Sequence, residues 1–138
     1  MGRLWQVFSG PDALENQPDD RYTSPWTYPA QVRIPMEHWQ AIIAFARARE
    51  DTDADFLERM SVLDGASFDP GTLTRFVRLL ETLANAVTDA PRLTPDTADP
   101  GIIPEPMPNT SHAQMLRDVA RLIARTKRIG AAFDSWVE

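Results

Sequence analysis

The stretch from Asp69 to Val87, DPGTLTRFVRLLETLANAV, constrains this chain more than any other. Asp69 is a good capping residue, because its carboxylate accepts from the unpaired backbone N–H groups of a first helical turn. Pro70 then falls at the first helical position, where a missing N–H costs nothing. Leu73, Phe76, Val77, Leu80, Leu83, Ala84 and Val87 recur at helical spacing, which gathers them on one arc. Leu79 widens that arc, so the helix offers apolar surface to more than one neighbour. Arg75, Arg78, Glu81, Thr82 and Asn85 fall on the other side. Proline cannot continue the helix, so it ends between Asp89 and Pro91. Such a stripe must be covered, and the rest of the chain is read for what covers it.

Three further helices are predicted. Pro35 opens one that runs to about Arg49, with Trp39, Ile42, Ile43 and Ala46 on its apolar face and Phe45 broadening it. His38 lies at the edge of that face, where a half-buried histidine with a backbone partner is expected. Ala41, Ala44 and Ala48 make a flat second side suited to close helix approach. Asp53 caps a short helix from Ala54 to Leu63, whose apolar residues are Phe56, Leu57, Met60 and Leu63. Ser111 and Gln114 have the spacing of a capping box, which starts a last long helix. Met115, Leu116, Val119, Leu122, Ile123 and Thr126 form its inner face, and Arg117, Arg121, Arg125 and Arg128 a stripe on the outside. Gly130 suits the position just past its end.

Outside the helices the chain is extended. Arg3 to Phe8 and Gln31 to Ile34 read as short strands able to pair with each other. A loop with Gly10-Pro11 as a turn signal follows the first, and the second falls within an aromatic-proline stretch, Tyr22 to Pro35, with prolines at 25, 29 and 35 that forbid a helix. From Asp89 to Asn109 six more prolines suppress any periodic pattern. That segment is expected to be a strap across the surface or a linker, with Ile102, Ile103 and Met107 as its tethers. AAFDSWV, after Gly130, is read as a tail. The fold expected is therefore mainly α: a small single-domain helical bundle of three main helices and one short one, with an N-terminal extended arm or short β-ribbon. Its divisions are 1–35 as the arm, 36–88 as the helical core, 89–110 as the strap, and 111–138 as the last helix and tail.

Chemistry is constrained mainly by exclusion. There are no cysteines, which removes disulfides, thiol catalysis and cysteine-held metals. The two histidines, His38 and His112, show no metal-ligand spacing. No serine sits in a nucleophile elbow, and the six glycines are scattered rather than gathered into a phosphate loop. Asp51, Asp53 and Asp55 match the start of a calcium loop, but Phe56 stands where the turn needs glycine and Val62 where a bidentate Glu is needed. No catalytic residue, metal or cofactor is expected, and the protein is read as non-enzymatic. No apolar run reaches the roughly 20 residues of a membrane span, and the first ten residues have too short an apolar stretch for a signal peptide. A cytoplasmic location is expected.

What remains is charge. The net charge is −6, and residues 1–69 hold all of it: 12 Asp or Glu against 6 Arg, whereas residues 70–138 hold 8 acidic and 8 basic residues. An acidic half disfavours nucleic acid and favours a basic protein partner. The candidate partner-binding residues are Glu50, Asp51, Asp53, Asp55 and Glu58, with Trp26 and Tyr28 as aromatic anchors. The expected function is an acidic protein-binding module, most concretely an inhibitor or immunity-type protein that neutralises a basic toxin. The alternative is a small-ligand-binding or regulatory domain, with a pocket under the aromatic segment lined by Trp26, Tyr28, His38 and Trp39.

Overall fold

A computed structural model describes residues 4–10, 30–49, 54–61, 70–94, 107–129 and 134–138. Four helices dominate: α1 (Met36–Ala48), α2 (Ala54–Arg59), α3 (Pro70–Thr88) and α4 (Asn109–Ile129). They accompany a three-stranded antiparallel sheet of β1 (Trp5–Gly10), β2 (Ala30–Pro35) and β3 (Asp134–Val137), in the order β2-β1-β3.

The ribbon expected from the sequence forms, with Gln6 opposite Ile34 and Phe8 opposite Val32. The tail reading of residues 131–138 is corrected for its last part. Asp134–Val137 pairs with the other edge of β1, setting Val7 opposite Trp136. Glu138 closes that ladder: Trp5 N–H donates to its carbonyl at 2.8 Å, and its own N–H donates to Trp5 O at 2.9 Å. A lone ribbon is marginal in water, so a third strand and helices against the sheet are what make it stable. Asp, Ser and Trp in a four-residue run carry too little periodicity to announce a strand, which is why the pairing was invisible in sequence.

β1 is the central strand, and Gln6 to Gly10 are all buried. Its polar side chains therefore need partners inside the protein. Gln6 Nε2 donates to Ser61 O at 2.5 Å. Gly10 is required by space. A Cβ there would lie 2.9 Å from Leu122 Cδ2 and 3.1 Å from Thr126 Oγ1, because α4 crosses the end of the strand.

α3 and α4 share the most extensive interface between elements. Leu73, Phe76, Leu79, Leu80, Leu83, Ala84 and Val87 are buried on α3, and Leu116, Val119, Ala120, Leu122 and Ile123 on α4. The stripe read from sequence is thus the inner face of α3, Leu79 included. On α1, Trp39, Ile42 and Ala46 point inward, and Trp39 meets Phe8 of the sheet edge-on at 5.3 Å. Ala44 and Ala48 are exposed, so the expected second packing side of α1 faces outward.

Two helix boundaries differ from expectation. α2 ends at Arg59, because Met60 and Ser61 turn: Ser61 N–H donates to Glu58 O, and its hydroxyl donates to Leu57 O. α4 begins at Asn109, before the expected capping box. Ser111 already lies inside the helix, and Gln114 donates forward to Asp118 Oδ1 rather than back to a cap. The strap expected over 89–110 accordingly gives up its last two residues to α4. Ile102 and Ile103 lie outside the described residues, while Met107 is half-buried.

Candidate functional site

The acidic surface is built by α2. In the run ADFLER, Ala54, Phe56 and Leu57 face the core, which turns Asp55 and Glu58 outward on one side, three residues apart. α1 brings Arg47 from its last turn to both. Its Nη2 lies 2.6 Å from Glu58 Oε2 and 3.5 Å from Asp55 Oδ1. The Asp55 side chain is 85% exposed, so these pairs are screened and contribute under about 1 kcal/mol. One guanidinium shared between two carboxylates leaves that pair with a surplus of negative charge. Two other arginines near α2 lie over an aromatic face: Arg59 and Arg75 lie 5.5 and 4.8 Å from the Phe56 ring centre. Of the candidate residues, Asp55 and Glu58 are brought together. Glu50, Asp51, Asp53, Trp26 and Tyr28 lie outside the described residues.

Two arginines of the α4 stripe are occupied elsewhere. Arg117 donates to Asn85 Oδ1 of α3 at 3.2 Å, and Arg121 pairs with Asp118 of its own helix at 3.7 Å. Both line an open groove of about 320 Å³ between α3 and α4, together with Glu81, Asn85 and Ala120. Glu81 lies in its wall with the two arginines, and Asp118 pairs with Arg121 beside it.

Comparison with known proteins returns no matching family model, curated protein or solved structure.

The second cluster is internal, and sequence reasoning missed it. His38 and His112 are both fully buried, and His38 Nδ1 lies 2.9 Å from His112 Nε2. His38 was expected half-buried with a backbone partner. The half-buried part of that expectation is corrected: His38 is fully buried and faces another ring. α1 supplies one histidine and the first turn of α4 the other, so residues 74 positions apart meet. On its other side His112 Nδ1 lies 3.2 Å from Asn109 Oδ1. Asn109 Nδ2 donates to the carbonyls of Val87, Ala90 and Pro91 at 2.9–3.1 Å, and Leu93 N–H donates to Asn109 Oδ1 at 3.0 Å.

This geometry fixes the hydrogens that lie between Asn109 and His38. Three carbonyls on one side and an N–H on the other leave a single orientation for the Asn109 amide. Its oxygen then faces His112, so His112 Nδ1 carries hydrogen and donates. A neutral imidazole has one donor and one acceptor, so His112 Nε2 accepts, and His38 Nδ1–H is the donor. The His112 pKa is lowered from 6.5 to about 4, first by burial and then by the charges of His38 and Arg92.

His38 and Trp39, which the pocket reading places on a ligand-binding wall, are both core residues. Trp39 is 1% exposed, and its Nε1–H donates to Ser61 Oγ at 3.0 Å. Among the described residues no group of three or more His, Asp or Glu is placed to hold a metal. Among the same residues no helix is long and apolar enough to cross a membrane.

Proposed function

We propose that the chain is a non-enzymatic binding protein that docks a basic partner through the acidic surface of its first half. The concrete form is an inhibitor or immunity-type protein that neutralises a basic toxin or effector. One observation carries the reading: Asp55 and Glu58 stand outward on one side of α2 and share a single arginine, in the half of the chain that holds the whole charge surplus. Two arginines of the last helix support the reading, since Arg117 and Arg121 have partners on α3 and α4 rather than on Asp55 or Glu58. The physics of such docking is complementary potential, which speeds encounter and rejects acidic competitors.

The test is capture of a basic protein from an extract of the cells that make this chain. Wild type is compared with an Asp55→Lys, Glu58→Lys double variant shown to be folded by circular dichroism. The expected result is a basic protein retained at low salt, lost in the variant, and released near 1 M salt, where the Debye length is about 3 Å. Retention that survives both the reversal and the salt would sink the reading, as would the capture of no basic protein.

A further inference from the structure

Where α3 packs on α4, two pairs of polar side chains line the seam, each pair one helical turn apart: Glu81 and Asn85 on α3, Arg117 and Arg121 on α4. Ala120, a single methyl at 3% exposure, lies among them, and the room left beside it is the open groove of about 320 Å³. We propose that this groove binds a small zwitterion, a free amino acid or a dipeptide, whose carboxylate meets the two guanidiniums and whose ammonium meets Glu81.

Opposite charges line this groove without closing on each other. Arg117 Nη2 donates across the helices to the neutral Asn85 Oδ1 at 3.2 Å. Arg121 turns back along its own helix toward Asp118, whose carboxylate is 3.7 Å away. That distance is too long for a hydrogen bond, so the pair leaves the donors of Arg121 unspent. Among the described residues neither arginine forms an ion pair with Glu81. A guanidinium carries five N–H donors in a planar fork that matches a carboxylate. Arg117 gives one of its five to Asn85, and that bond fixes where its fork stands.

A lone anion is drawn by the arginines and repelled by Glu81, and a lone cation meets the reverse. A ligand with both ends satisfies both walls. The volume lies at the lower end of small-molecule sites, roughly 300–1,000 Å³, which suits an amino acid or a dipeptide. The Arg121 side chain is 71% exposed, so its contacts are screened and the affinity expected is in the millimolar range at low salt. The groove belongs to α3 and α4, apart from Asp55 and Glu58 of α2, and does not depend on the docking reading.

The experiment is an NMR titration of the intact chain at low salt, followed at the amides of Glu81, Asn85, Arg117 and Arg121. The probes are glycine, glycylglycine and γ-aminobutyrate, which set the two charges at different spacings, with acetate and methylammonium as the separate halves. The expected result is saturable shifts at these four amides with at least one zwitterion, and binding of each half about fivefold weaker or less. Glu81→Gln, a change at an exposed position that circular dichroism shows to be folded, should reduce that zwitterion to the level of acetate. The Asp55→Lys, Glu58→Lys variant should bind it unchanged, so the two proposals fail separately. No saturable shift with any of the three zwitterions overturns the proposal. Acetate binding as tightly as the zwitterion overturns it too, as does zwitterion binding that Glu81→Gln leaves intact.

Discussion

At the scale of single residues, small side chains with many partners matter most. Gly10 is an example, since α4 lies where its Cβ would be. Gly10→Ala is expected to cost about 1–2 kcal/mol, because the near atoms belong to the tip of Leu122, which can shift in part. Equilibrium denaturation of Gly10→Ala, Leu122→Ala and the double variant checks this: the double should be more stable than the sum of the two losses. Asn109 is a stronger case. Asn109→Asp keeps the acceptor for Leu93 and His112 but removes every donor to the carbonyls of Val87, Ala90 and Pro91. At pH 7.5 the loss should be about 2–3 kcal/mol. The new charge also favours protonated His112, so the deficit relative to wild type should shrink at pH 5. Denaturation curves at the two pH values give the answer. His38 shows why such residues are hard to read from sequence. Its place at the edge of the apolar arc was legible, whereas the ring it meets comes from 74 residues away.

At the scale of elements, the amphipathic stripes were legible and the ends were not. The inner face of α3 follows its sequence pattern because seven of its side chains had to leave water together. Leu83→Ala, at 0% exposure, should cost about 2–5 kcal/mol in a denaturation experiment. α4 starts at Asn109 rather than at the S-x-x-Q capping box because Asn109 is engaged by carbonyls after α3, a distant tie that outweighs a local cap. β3 is held by pairing to β1 and by Ser135 Oγ, which donates to Met60 O at 2.9 Å. Removing residues 134–138 should therefore leave Trp5 and the buried edge of β1 without partners. The expected readout is a fall in the denaturation midpoint of the truncated chain, together with faster amide exchange along β1 but less change in α3.

At the scale of the whole molecule, the polar interior makes stability depend on pH. The folded pKa of His112, about 4, lies below the ordinary 6.5, so the unfolded chain binds more protons between those values. Stability is then complete above about pH 6.5 and is lost as pH falls through about 4. The gap corresponds to about 3 kcal/mol as an order of magnitude. Urea midpoints of wild type and His112→Gln at pH 8 and 4 isolate this from the carboxylates, which titrate in both proteins. The loss between the two pH values should be smaller in the variant. Charge acts at the same scale in another way. The surplus of the first half is visible by counting, but its distribution is not, because Arg47 of α1 reaches α2 only in the folded chain.

Periodicity alone determined that four helices form and which faces of α1, α3 and α4 turn inward, since burial of an apolar stripe is a local demand that the sequence states directly. It also determined the pairing of β1 with β2, because two short extended runs need an edge to share. Only the tertiary structure decided that residues 134–137 complete the sheet, and that His38, His112 and Asn109 form one chain of donors. A strand of four residues and a polar bond across 74 positions have no period to read, and they exist because buried donors and acceptors must find partners wherever the fold brings them.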